Sequence, residues 1–221
     1  MKHYFFMDKG DFFAHLVDGS EEMFEKATDQ VSKEKLDSYL ELAIRTSSVR
    51  SDPYKDDVSC MLNKLGITEQ LFVTKVTSGQ FGGKKGGIEH VNSIGPQPRN
   101  MKVYEAFTLN YNVQWPLSLV ISKKAINKYQ LIFRHILYQK YVESSLEKAW
   151  SMHQSTKECN VHHLFARTFR TRLKMLQFCK NYLYYMLYEV LEPNFNKFMD
   201  NLRKVKTVDE IIVLHNNFLD Q

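Results

Sequence analysis

The stretch "VQWPLSLVISKKAINKYQLIFRHILYQKYVE", residues 113–143, contains the pattern that decides the fold. It begins with strand-like alternation, passes through Trp115 and Pro116, and becomes one long helical repeat. At about 100° per residue, the apolar side chains after Ser122 fall on one broad stripe. We therefore predict a long helix, capped by Ser122, that buries this stripe in a core. The members of the stripe are Ala125, Ile126, Tyr129, Ile132, Phe133, Ile136 and Leu137.

The residues before this helix predict a small β element between about residues 106 and 121. Apolar and polar side chains alternate with period two, which is typical of a half-buried strand. The run "LSLVI" after Pro116 is fully apolar and is expected to continue the same element. Trp115, at the end of the alternation, is expected to anchor the element against the long helix. The apolar members of the alternation are Phe107, Leu109, Tyr111, Val113 and Trp115.

Helical periodicity continues on both sides of this stretch. Beyond Tyr138 the apolar face of the long helix changes side, which indicates two successive packing neighbours and favours a bundle. Asp11 and Ser32 are plausible N-caps of earlier helices, and Thr207 with Glu210 forms a capping box for the last one. A second long helix is predicted over residues 160–192, and Arg172 within its apolar stripe should face a carboxylate. The predicted fold is mainly α: a multi-helix bundle with a small β element.

A glycine- and proline-rich segment divides the chain. Residues 79–102 hold six of the nine glycines and have few apolar side chains to bury. We predict a first helical segment over residues 1–78, a flexible linker or insertion over 79–102, and a third part over 103–221 that carries the β element and the long helices. The sequence "GGKKGG" is an alternative candidate for a phosphate-binding loop, but it lacks the spaced Gly-Lys-Ser/Thr pattern.

Composition restricts the function classes. The chain has 221 residues, with 43% hydrophobic and 25% charged side chains, as in a soluble globular protein. The formal net charge of +5 is compatible with an acidic partner. Three widely spaced cysteines make a secreted disulfide framework improbable and favour a reducing compartment. Neither a membrane span nor a signal peptide is predicted.

The search for catalytic chemistry yields no enzyme motif. The sequence has no nucleophile elbow, dinucleotide fingerprint or His-Glu-x-x-His pattern. His153, Cys159, His162 and His163 have no recognised zinc spacing, so loop and capping roles are favoured over a metal site. The prediction is therefore a protein that is not an enzyme, with no catalytic residues, no metal and no cofactor.

Four blocks in order carry a resemblance to a known family. They are "KHYFFMDKGDFFAHLVD", "EAFTLNYNVQWPLSLVISKKAINKYQLIFRHILYQKYVESSLEKAW", "YYMLYEVLEPNF" and "VDEIIVLHNNFLD". Their order and spacing resemble the C-terminal Grip region of the gamma-tubulin complex components. The last helix stops at Gln221 with apolar residues still unpartnered in sequence, so we expect a partial, truncated Grip-type domain.

The resemblance implies a role in the cell. It implies binding to gamma-tubulin, contacts with other gamma-tubulin complex components, and action in microtubule nucleation. The implied location is the cytoplasm and cytoskeleton, at microtubule-organising centres and spindle poles. Lateral contacts between components are expected to need an N-terminal half that is missing from this chain. No nucleic acid and no membrane span are expected.

The expected gamma-tubulin-binding residues come from the first and second quoted blocks. A basic surface flanked by aromatic residues suits an acidic tubulin. Periodicity alone favours a different interpretation, in which the cations form the solvated back of the helix. Two further function classes fit the same side chains: a nucleic-acid-binding helical domain, and a generic helical adaptor that binds peptides in a groove. The candidate residues are Lys9, Asp11, Phe12, Lys124, Lys128, Arg134 and His135.

Overall fold

The structure, a computed structural model, describes residues 1–71, 101–155 and 162–221. The chain divides into two compact units, which are described separately. Unit one comprises Met1–His135 and Val205–Gln221, and unit two comprises Ile136–Lys204. Most of the predicted linker, from residue 79 to residue 100, lies outside the described residues, so its flexibility stays a prediction.

Unit one begins with helices that bury their aromatic and aliphatic faces. Helix α1 is Lys2–Phe5, α2 is Gly10–Phe24 and α3 is Lys33–Thr46. Short 3-10 turns follow at Thr28–Gln30, Ser48–Ser51 and Lys55–Asp57, and residues 67–71 are helical. The predicted apolar faces of α2 and α3 are buried, which confirms the helical periodicity there. The buried side chains include Phe12, Leu16 and Phe24 from α2, and Leu36, Leu40 and Ile44 from α3.

The small β element is a two-stranded antiparallel sheet. Strand β1 is Val58–Leu62, β2 is Phe107–Tyr111, and Cys60 lies opposite Leu109. A short helix, α4 (Val103–Ala106), leads directly into β2. The sequence predicted β2 but not its partner, because "VSCML" is too short to show a clear period of two.

The prediction of β structure in the C-terminal half of this segment is wrong. Strand β2 ends at Tyr111, which pairs with Val58, the first residue of β1, so the ladder has no further partner. The apolar run after Pro116 contains a 3-10 turn, Leu117–Leu119, instead of a strand. Trp115 is 80% exposed and does not anchor the sheet against the long helix.

The first part of the long helix that follows, up to His135, belongs to unit one. Helix α5, Lys123–Ser155, begins as predicted after Ser122, whose Oγ accepts a hydrogen bond from the Ala125 backbone at 3.3 Å. Its buried stripe is confirmed at Tyr129 and Phe133, both of which contact the ring of Phe5.

The last helix packs on the same part of α5. Helix α8, Val208–Asp220, has Thr207 as its predicted N-cap, with Thr207 Oγ1 accepting from the Glu210 backbone. Its buried His215 lies 3.0 Å from the hydroxyl of Tyr129, measured from Nε2. Helix α8 therefore forms part of the core of unit one.

Unit two continues α5 from Ile136 and adds three helical segments. They are α6 (His162–Tyr184), a π-helical segment (Tyr185–Leu191) and α7 (Glu192–Leu202). The second long helix does not end at residue 192 as predicted. A π-helical stretch precedes Pro193, which has no N–H to donate, and the chain stays helical through it.

Arg172 of α6 is buried as predicted, but the prediction that it faces a carboxylate is wrong. Its Nη1 donates to the Leu146 carbonyl at 3.1 Å, and its guanidinium lies over the ring of Trp150 at 4.7 Å. A carbonyl and an aromatic face therefore accommodate the cation. Among the helices that the structure describes, none has both the length and the apolar character needed to cross a membrane.

Candidate interaction surface

Lys123 and Lys124 form an exposed cationic pair in the first turn of α5. This turn has no acidic side chain, and the positive end of a helix macrodipole disfavours cations there. Within residues 1–71, 101–155 and 162–221, neither lysine has an ion-pair partner. The pair therefore does not stabilise its helix. Lys124 is one of the predicted site residues, and Lys123 is its neighbour outside that set.

Lys128, one turn further along α5, has a structural role. Its ammonium group pairs with the Asp220 carboxylate of α8, and about a fifth of the lysine side chain is exposed. This ion pair fixes the C-terminal helix against α5 in unit one. Lys128 thus remains at the surface, but part of its charge is already neutralised.

Arg134 is buried in unit one, and its role as a contact residue stays a prediction. The side chain is 0% exposed and donates hydrogen bonds to the side chain of Gln70 and to the carbonyls of Leu65 and Glu105. Burial lowers its pKa to about 10, opposed by the charge of Glu105, so it remains a cation at neutral pH. Helical periodicity alone cannot show that residues 65–70 and 105 cover this side of α5.

Phe12 and Asp11 also build the fold. Phe12 is fully buried and meets the ring of Tyr4 edge-on at 5.5 Å, and its role as a contact residue stays a prediction. Asp11 does not cap its own helix, whose N-cap is Lys9. Its carboxylate instead accepts from the backbone N–H of Ser48 at 2.7 Å and from the Ser48 hydroxyl at 3.1 Å. These bonds hold the pKa of Asp11 below its ordinary value.

Lys9 and His135 occupy intermediate positions. Lys9 is half-buried at the N-cap of α2. His135 is half-buried on α5, directly after Arg134, and burial lowers its pKa. Both therefore present only part of their side chains to a partner.

Comparison with known proteins adds independent information. The model of the family described as "Gamma tubulin complex component C-terminal" matches residues 1–221. The chain belongs to the gamma-tubulin complex component family. The family resemblance carried by the four sequence blocks is thus confirmed.

Two of the relatives bear the name of component 2. "Gamma-tubulin complex component 2" from Arabidopsis thaliana is 39% identical over 222 residues, covering 100% of this chain and 31% of the relative. The protein of the same name from Mus musculus is 37% identical over 224 residues, covering 100% of this chain and 24% of the relative. A third relative, "Spindle pole body component alp4" from Schizosaccharomyces pombe, is 30% identical over 257 residues and is covered to 33%. The chain therefore spans about a third or less of the length of these relatives.

Family membership does not itself select a surface on this gamma-tubulin complex component. Of the seven predicted residues, Phe12 and Arg134 are buried, and Asp11 is held by Ser48. Asp11 and the other four residues keep at least partial exposure, and all seven stay predictions. Among the described residues, no group of three His, Cys, Asp or Glu side chains is arranged to hold a metal ion.

Proposed function

We propose that this protein is a gamma-tubulin-binding component of the gamma-tubulin complex and acts in microtubule nucleation. The supporting observation is the family match over residues 1–221, with relatives named as gamma-tubulin complex and spindle pole body components. The proposal places the protein in the cytoplasm and cytoskeleton, at microtubule-organising centres and spindle poles. It assigns no catalytic step to the chain.

The proposed binding surface is centred on Lys123 and Lys124. Both are exposed, and both lie at the helix end where the macrodipole disfavours cations. Helix stability therefore does not explain these two lysines, whereas binding to an acidic partner does. Lys128 extends the surface by one turn, and Lys9 and His135 are further proposed contacts. A cationic surface of this kind accelerates encounter with an acidic partner such as a tubulin.

Contacts with other gamma-tubulin complex components are also part of the proposal. Because the chain spans 31% of its Arabidopsis relative and 24% of its mouse relative, the lateral contacts are proposed for the whole protein. A nucleic-acid partner is a weaker alternative, since the excess of 5 positive charges is small and the cations are spread over several elements.

Binding to purified gamma-tubulin tests the proposal. Biolayer interferometry would compare wild type with the double charge reversal K123E/K124E. The matched control K33E/K35E reverses two exposed lysines on α3. We expect K123E/K124E to weaken binding about tenfold at low salt, mainly through slower association, and K33E/K35E to change it much less. Circular dichroism should show the same helical signal for all three proteins.

The possible outcomes separate the function from the surface. Binding that both double reversals reduce equally would remove Lys123 and Lys124 as the site while keeping the partner. No binding by wild type, together with tight and steeply salt-dependent binding to duplex DNA, would overturn the proposed function in favour of nucleic-acid binding.

A further inference from the structure

The loop between β2 and α5 exposes a cluster of large apolar side chains. Trp115 is 80% exposed, and Leu117 and Leu119 on the following 3-10 turn are also more than half exposed. Tyr54 is exposed across the adjacent pocket. Single exposed apolar residues are ordinary, but a group that includes tryptophan is typical of an interaction site.

A pocket of about 600 Å³ lies beside Trp115 within unit one. Its walls come from four places: Met1, the 3-10 turn at Lys55–Asp57 with the residues before it, the end of β2, and the loop that leads to α5. This volume lies within the range of about 300–1,000 Å³ that is usual for ligand pockets. The residues that matter for recognition are Tyr54, Asp56, Asp57, Tyr111, Trp115 and Leu117.

The charged side chains that line this pocket are acidic, and Gln114 Nε2 donates to Asp57 Oδ1 at 3.4 Å. Asp56 and Asp57 line it, and Asp52 lies nearby, accepting from the Tyr4 hydroxyl at 3.1 Å and the Tyr54 backbone at 2.9 Å. In the part of the chain that the structure describes, none of these three carboxylates has a salt bridge. Burial raises the pKa of Tyr111 to about 12, with Asp57 and Asp52 adding to the effect. The charged lining of the pocket is thus acidic although the protein carries a net charge of +5.

We propose that this pocket is a docking site for a basic segment of a partner protein. An arginine side chain would stack on the exposed indole of Trp115 and direct its guanidinium to Asp56 and Asp57. Apolar neighbours in the segment would cover Leu117. Charge complementarity determines the choice of occupant, since the carboxylates repel phosphate groups and acidic protein surfaces. The site is thus distinct from the lysines of α5 and extends beyond binding to an acidic tubulin.

Trp115 itself supplies the readout. The sequence has two tryptophans, so Trp150→Phe leaves Trp115 as the sole indole fluorophore. Titration of this protein with a hexa-arginine peptide at low salt should quench Trp115 emission in a saturable manner. Hexalysine should quench it less, because its ammonium groups stack on aromatic rings less well than planar guanidinium groups. Hexaglutamate should leave the emission unchanged.

Two isosteric double variants test the role of the carboxylates. In the Trp150→Phe background, D56N/D57N should weaken hexa-arginine binding at least tenfold. The matched control D18N/E22Q removes two exposed carboxylates on α2 and should leave the affinity within a factor of two. Trp115→Ala should likewise weaken hexa-arginine binding, measured by isothermal titration calorimetry. This second test does not require D56N/D57N to remain folded.

Several results would overturn the proposal. One is equal loss of affinity in D56N/D57N and D18N/E22Q, which would show unspecific charge attraction. Another is unchanged affinity in Trp115→Ala. A third is a Trp115 emission that varies with protein concentration without peptide and is insensitive to D56N/D57N, because the occupant would then be a second copy of the chain. Each readout is independent of gamma-tubulin binding, so failure here leaves the proposed function untouched.

Discussion

Among single residues, Arg134 shows that helical periodicity alone does not reveal whether a side chain is buried. Its guanidinium donates hydrogen bonds to the side chain of Gln70 and to the backbone carbonyls of Leu65 and Glu105. Arg134→Met removes these donors and leaves buried acceptors without partners. We expect the free energy of unfolding to fall by about 3 kcal/mol or more. Urea denaturation followed by circular dichroism measures this change.

The control for Arg134→Met is on the same helix. Lys124→Met makes the same type of replacement at an exposed position and should change the free energy of unfolding by no more than about 0.5 kcal/mol. If both variants were equally stable, Arg134 would lie at the surface.

Trp115 and Phe133 form a second contrasting pair of residues. Trp115 is mostly exposed, whereas Phe133 is fully buried among Phe5 and Phe107. Trp115→Ala should therefore change the free energy of unfolding by at most about 0.5 kcal/mol, and Phe133→Ala should cost about 3–5 kcal/mol. Thermal unfolding of both variants measures the difference. A large loss of stability in Trp115→Ala would restore the core position predicted from the sequence.

At the scale of elements, the contact between α5 and α8 makes stability depend on pH. Burial lowers the pKa of His215 below 6.5, with a smaller contribution from Lys128 and an opposing backbone hydrogen bond with Val120. The unfolded chain therefore binds a proton more readily than the folded one. The contribution of His215 to the free energy of unfolding is fully present above about pH 6.5. It decreases as the pH falls from there toward the pKa of His215 in the folded state.

The pH dependence can be assigned with two variants. The slope for one histidine cannot exceed about 1.4 kcal/mol per pH unit. His215→Gln should make the decline of the melting temperature between about pH 6.5 and pH 5 shallower. His15→Gln, at an exposed position on α2, should leave it unchanged. His135 adds to the decline in the same direction, while the lowered pKa values of Asp8 and Asp11 act only below about pH 4. An unchanged slope in His215→Gln would contradict the assignment.

The elements also show how far sequence reasoning reaches. The stripe of α5, the faces of α2 and α3 and the Thr207 cap follow from periods and local hydrogen bonding, so they could be predicted. Strand β1 could not, because its pairing with β2 joins residues 58 and 111, which are distant in sequence. The same limit explains Arg134, whose partners come from separate segments. It also explains Trp115, because the alternating pattern does not reveal where the partner strand ends.

Across the whole molecule, hydrophobic burial is unequal between the two units. In unit two, the buried hydrophobic side chains among the described residues are Ile136, Leu137, Cys179 and Leu183. Many large apolar side chains of the same unit are exposed, whereas unit one buries aromatic residues from most of its helices. The exposed set includes Phe165, Leu173, Met175, Phe178, Tyr184, Tyr185 and Tyr188. Since stability follows buried apolar area, unit two should open at lower free-energy cost than unit one.

Each unit contains a buried cysteine that reports on this difference. Cys60 lies in β1 of unit one, and Cys179 lies in α6 of unit two. In a Cys159→Ser background, pulsed iodoacetamide labelling along a urea series should modify Cys179 at lower urea than Cys60, with the sites assigned by peptide mass spectrometry. Leu183→Ala should lower the urea midpoint for Cys179, at a cost of about 2–5 kcal/mol in unit two, and shift that for Cys60 much less. Coincident labelling of both thiols in both proteins would instead mean that the chain unfolds in one cooperative transition.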